Sequence, residues 1–202
     1  MAWKREHLTL WKPSLKGSLL VSYGLLVLAG CRTVDRTLND IHLPCGVYRW
    51  SIKILTDPDQ DSIRWKPVLT TVHELVALPR PSEAHEAHRR AAAELKVYRV
   101  HALLMSVHPR IDQDLHLLLR DPKVPEAQML AEIPDPRCAP ESKHAGDFAS
   151  ARKVAEGIQS RKEPVMVEVW GAGFFDAVRD QIGGAPNGFE LHPVVRLLEL
   201  HE

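Results

Sequence analysis

The sequence predicts an α+β domain that is mostly β. Three observations carry this. Apolar and polar residues alternate in short stretches between residues 96 and 200, the period of strands buried on one face. Only one stretch of that region, 146–158, repeats at helical spacing, and it falls after three strand patterns and before two more. No internal repeat is visible, and no glycine-rich phosphate loop follows a strand. At 202 residues, 45% hydrophobic and 26% charged, the chain can fill one core and lacks the composition of disorder.

Each element has a local reason. Residues 47–55 alternate, with Tyr48, Trp50, Ile52 and Ile54 on one face and Arg49, Ser51 and Lys53 on the other, and are expected as an N-terminal strand. Asp57-Pro58-Asp59 turns the chain. Thr71-Val72-His73-Glu74 is a capping box opening a short helix, which Pro79 and Pro81 end. Ser82 is placed to cap an alanine-rich helix over 83–95, with Glu86 and Arg90 one turn apart, expected as a solvated arm. Strands follow at 97–107, stopped by His108-Pro109, at 114–120, with Leu115, Leu117 and Leu119 inward, and at 128–133, stopped by Pro134. The helix over 146–158 carries Phe148, Ala151, Val154, Ala155 and Ile158 on one face. Strands at 164–170 and 194–200 close the pattern, separated by a long excursion over 171–193 with Gly183-Gly184 and an Asn187-Gly188 turn. Three strands, a helix and two strands is the order of the OB-fold, a five-stranded Greek-key barrel. The expected organisation is a tether over 31–46 and one globular domain over 47–202, with the barrel part at 96–200.

The first thirty residues have a different character. Lys4, Arg5, Lys12 and Lys16 precede an apolar run from Ser18 to Leu28 that is too short for a stable membrane span. The run ends in Leu28-Ala29-Gly30-Cys31, which resembles the lipobox of bacterial lipoproteins. That resemblance implies a signal peptide over 1–30, acylation of Cys31 and a membrane partner reached through that lipid. The expected location is the cell envelope. With Arg32 after the cysteine, the periplasmic face of an outer membrane is favoured in a diderm host. The precursor is formally neutral, with 26 basic and 26 acidic residues; without the four cations and Glu6 of the signal, the mature part carries −3. No overall basic field is present, so no nucleic-acid partner is expected. In an oxidising compartment the remaining pair, Cys45 and Cys138, is expected to form a disulfide.

The chemically richest segment is Asp112-Gln113-Asp114-Leu115-His116. Residues two apart on a strand share a face, so Asp112, Asp114 and His116 can point one way while Leu115 and Leu117 enter the core. Two carboxylates and an imidazole there could hold a divalent metal or poise a water. Aspartates at this spacing also serve simple turns. Asp176, Glu190 and His192 lie in or beside the long excursion, and His116 and His192 are expected on one side of the fold with acidic neighbours. No catalytic residue is named by any of these patterns. The ligand is unspecified.

Five segments together resemble a family of secreted bacterial proteins: Thr70-Thr71, Asp112-x-Asp114-x-His116, Glu132-Ile133-Pro134-x-Pro136-x-Cys138, Gly173-Phe174-Phe175-Asp176 and the stretch from Ala185 to Pro193. The resemblance spans roughly residues 47–200 and implies no activity. More distantly, the strand order and Met129-Leu-Ala-Glu-Ile-Pro-Asp135 resemble staphylococcal-nuclease-like domains. Gln128 and Met129 stand where that family has an arginine, the charge a phosphodiester transition state needs. Two functions are therefore expected in competition. One is a lipid-anchored binding or structural OB-like module of the envelope. The other is a metal-assisted hydrolase of phosphodiesters or envelope polymers.

Overall fold

Strand order and closure decide the architecture. The computed structural model describes residues 45–46, 48–82, 87–177 and 182–201. The expected signal, Cys31 and most of the tether lie outside them. The strands are β1 (Arg64–Thr70), β2 (Lys96–Pro109), β3 (Leu115–Arg120), β4 (Gln128–Ile133), β5 (Val165–Phe175) and β6 (Phe189–Glu199). The helices are α1 (Trp50–Lys53), α2 (Val72–Val76) and α3 (Ala145–Gln159). The sheet runs β1-β2-β3-β4-β6-β5, and β5 pairs back onto β2, so the last five strands close into a barrel. All the barrel pairings are antiparallel except β4–β6, which is parallel at Ala131 and Leu191. With α3 between the third and fourth barrel strands, this is an OB-like barrel, as the sequence predicts.

The inward residues alternate as expected: Leu115, Leu117 and Leu119 on β3, Met129, Ala131 and Ile133 on β4, and Val165, Val167 and Val169 on β5. The buried face of α3, formed by Phe148, Ala151, Ala155 and Ile158, joins the same core. The capping box forms: Thr71 accepts from the Glu74 amide at 3.1 Å, and Glu74 accepts from the Thr71 amide at 3.2 Å.

Several expectations need correction. Of the strand expected over 47–55, the described part, residues 48–55, is not a strand. Arg49 takes a left-handed backbone (φ 50°), and Trp50–Lys53 form a single helical turn. The alternation misleads because both of its faces are buried: Ile52 and Ile54 on one side, Arg49 and Lys53 on the other. The helix expected over 83–95 is also absent from its described part, residues 87–95, which forms bends and turns; 83–86 lie outside the described residues. Nor is that part a solvated arm. Arg89 pairs with Asp57 at 2.8 Å and donates to the Glu94 carbonyl at 2.8 Å, and buried polar partners of this kind override alanine's helix propensity.

The structure also adds β1, an edge strand parallel to β2 whose side chains are mostly exposed, so it carries no apolar alternation. The long excursion is shorter than expected. β5 runs on through Gly171 and Gly173 to Phe175 with register shifts, and β6 begins at Phe189. A Cβ on Gly173 would sit 2.4 Å from the Ala93 carbonyl oxygen, so this bend needs glycine.

Cys45 and Cys138 are bonded, with their Cα atoms 5.6 Å apart. The bond ties the segment before α1 to the turn after β4.

Candidate functional site

The pleat that sends leucines inward sends the opposite parity outward, and here several outward residues are also buried or half-buried. On β3 the outward set includes His116, which pairs across to Glu132 on β4. On β6 it includes Glu190 and His192, with Glu190 opposite Phe174 of β5. Asp114, just ahead of β3, shares the parity of His116. These residues form a patch on the outer surface of the barrel, across β3, β4, β6 and β5.

The α1 segment roofs the patch. The Arg49 guanidinium lies 4.7 Å from the centre of the Phe174 ring, and Lys53 Nζ lies 5.3 Å from it. Lys53 Nζ is also 4.0 Å from Glu132 Oε2. Under this roof Asp114 and His192 are 0% exposed and Glu132 is 2% exposed.

Glu132 is the hub. Its Oε1 faces His116 Nε2 at 2.9 Å, and its Oε2 faces His192 Nδ1 at 2.8 Å. His192 Nε2 lies 3.5 Å from Asp114 Oδ2. One ligand-type atom from each of Asp114, Glu132 and His192 can be chosen so that all lie within 4.8 Å of one another. Yet among the described residues neither ring nitrogen of His192 and neither carboxylate oxygen of Asp114 has a partner in full hydrogen-bond geometry, although Glu132 Oε2 approaches His192 and the Asp135 amide bears on Asp114.

The electrostatics follow from burial. Burial, then the charges of Asp112 and Glu132, push the Asp114 carboxyl up to about 8, against Lys53 and the Asp135 amide. Burial would raise Glu132 too, but His192 and His116 outweigh it and hold Glu132 well below the usual carboxylate range. Burial lowers His192 despite Glu132. For Lys53 burial acts downward, and the carboxylates of Glu132, Asp176, Glu190 and Asp114 more than reverse it.

Of the six residues expected from sequence, Asp114, His116, Glu190 and His192 come together here. Asp112 lies in the β2–β3 turn, where its side chain faces the Asp114 amide at 3.4 Å; its turn role is the local one, and its charge bears on Asp114. Asp176 sits just after β5, bonding its backbone amide to the Gly188 carbonyl at 2.9 Å, and its charge bears on Lys53. Sequence reasoning left out Glu132 and Lys53. A lone acid of outward parity in a mostly apolar strand is the signal that marks Glu132. Lys53 had none, because the expected strand put it in solvent.

Beside the patch is a cavity of about 350 Å³ lined by Ser106, His108, Arg110, His116, Leu118, Leu130 and Ile182. His116 belongs to both: it lines the cavity and holds Glu132.

Fold and site define an OB-like barrel with a roofed cluster of acids and imidazoles on its outer wall. No protein-family model matches the chain, and no curated protein is similar to it. Among solved structures, one titled "Crystal structure of a putative aspartyl-tRNA synthetase from Leishmania major Friedlin" matches with a TM-score of 0.43 and 12% identity, covering 68% of this chain. The chain spans only 21% of that protein's length, and so distant a likeness adds nothing to the strand order.

Proposed function

We propose that this chain is a lipid-anchored protein of the cell envelope whose barrel serves as a binding module. The order of basic residues, apolar run and Leu28-Ala29-Gly30-Cys31 supports the anchor. The Cys45–Cys138 bond supports an oxidising compartment. One observation favours binding over hydrolysis: Asp114 and His192 are wholly buried beneath the α1 segment. A hydrolase must bring a scissile bond and a water to its acids and bases, and these side chains present no surface to either. The neighbouring cavity, with Arg110, His108 and His116 among apolar walls, has the mixed lining of a small-ligand site.

The test is Cys31→Ser with membrane fractionation and fatty-acid labelling. Wild type should be membrane-bound and labelled, and the variant soluble or left unprocessed. Normal labelling and fractionation of the variant overturns the anchor.

A further inference from the structure

We propose that Asp114, Glu132 and His192 form a binding site for one divalent transition-metal ion, Zn²⁺ or Mn²⁺. This goes beyond the binding-module reading and does not depend on Cys31.

The geometry is the first support. Ligands held at about 2.1 Å from one ion lie at most about 4.2 Å apart, so a set already within 4.8 Å closes with small side-chain adjustments. Unmet bonding is the second. Among the described residues, both oxygens of Asp114 and both ring nitrogens of His192 are buried without a partner in full hydrogen-bond geometry, a costly arrangement that an ion would relieve.

The donor set selects the metal class. An imidazole with two carboxylates suits borderline cations; calcium and magnesium favour all-oxygen cages, and copper(I) favours sulfur. His116 sits behind the site as a positioning residue: its contact with Glu132 Oε1 leaves Oε2 toward His192. His116 also lines the cavity, so it stands between that space and Glu132. Lys53 is the competing cation, 4.0 Å from Glu132 Oε2.

The experiment is calorimetric titration of the detergent-solubilised full chain with Zn²⁺ and with Mn²⁺ after stripping with a chelator, alongside Co²⁺ absorption. Wild type should take up a single equivalent. Glu132→Gln and His192→Gln should weaken binding beyond the 10–100-fold typical of an outer-shell change, and His116→Gln should fall within that range. Lys53→Met should tighten binding by on the order of tenfold, because a repelling charge is gone. No uptake by wild type overturns the site. So does uptake that is unchanged in both ligand variants, which would place the ion on surface histidines. If circular dichroism shows those two variants unfolded, Asp114→Asn and Lys53→Met decide, and unchanged affinity in both overturns the proposal. A chain that is lipidated at Cys31 but takes no metal refutes this site alone.

Discussion

Arg49 and Glu94 form an ion pair sealed from water, with Nη1 2.7 Å from Oε1 and both side chains 0% exposed. Glu94 also accepts the Phe175 amide at 2.7 Å, and Arg49 donates to the Phe175 carbonyl at 3.1 Å. The pair therefore locks the roof segment to the end of β5. It also holds Arg49 in a left-handed backbone that a residue with a Cβ seldom adopts. Removing one partner strands a buried charge. Arg49→Met or Glu94→Gln should each cost about 3–5 kcal/mol in denaturant unfolding. The double variant should cost less than the two added, since it leaves no unpaired buried charge. Additive losses would mean that the pair is not coupled.

The Cys45–Cys138 bond closes a loop of 93 residues. In the chain-entropy account such a loop stabilises by about 4–5 kcal/mol at most, by restricting the unfolded chain. Reduction, or Cys45→Ser with Cys138→Ser, should lower the denaturation midpoint accordingly. Because one end leads into α1, backbone amides of 48–57 should lose hydrogen-exchange protection before those of β3 and β4. Uniform loss across the barrel would contradict this.

Acid sensitivity is written into Asp121, at the end of β3. Its Oδ1 accepts the Lys123 and Val124 amides at 2.9 and 3.1 Å, and its Oδ2 accepts the His73 amide at 3.0 Å. Burial alone would raise its pKa; these three amides more than offset that and lower it from 3.8. A carboxyl whose folded pKa is depressed contributes fully above its unfolded value. That contribution fades as pH falls from 3.8 through the folded value. Asp121→Asn should flatten the acid limb of the stability–pH curve and cost roughly 1–3 kcal/mol at pH 7. An unchanged acid limb would show that Asp121 carries no such linkage.

Two glycines should respond with opposite sign. At Gly173 an added Cβ meets the Ala93 carbonyl oxygen at 2.4 Å, a backbone atom that cannot rotate away. Gly173→Ala should destabilise by about 1–3 kcal/mol. Gly157 lies within α3 with nothing within 4 Å of a Cβ, so Gly157→Ala should stabilise by about 0.8–1 kcal/mol through helix propensity. Thermal melts of the two variants, shifting in opposite directions, are the check.

Much of the barrel was legible in the sequence because its code is local. Leu115, Leu117 and Leu119 alternate because one face of β3 meets the core, and α3 shows its apolar stripe because only one side is covered. Thr71 and Glu74 announce a cap whose two bonds lie within four residues. The sequence by itself determined the order of the barrel's strands, the helix between β4 and β5, the cysteine pair and most of the acids and imidazoles that meet. Tertiary structure decided the rest. Residues 48–55 look like a strand until Glu94 and Phe174 supply partners for Arg49, which turn a polar face into a buried one. That same roof makes Lys53 a neighbour of Glu132, and it makes the outward side of β4 and β6 an interior. Alternation reports that a strand has two faces. Whether the second face meets water or a distant segment depends on contacts with no sequence period, and the candidate site exists because here it meets α1.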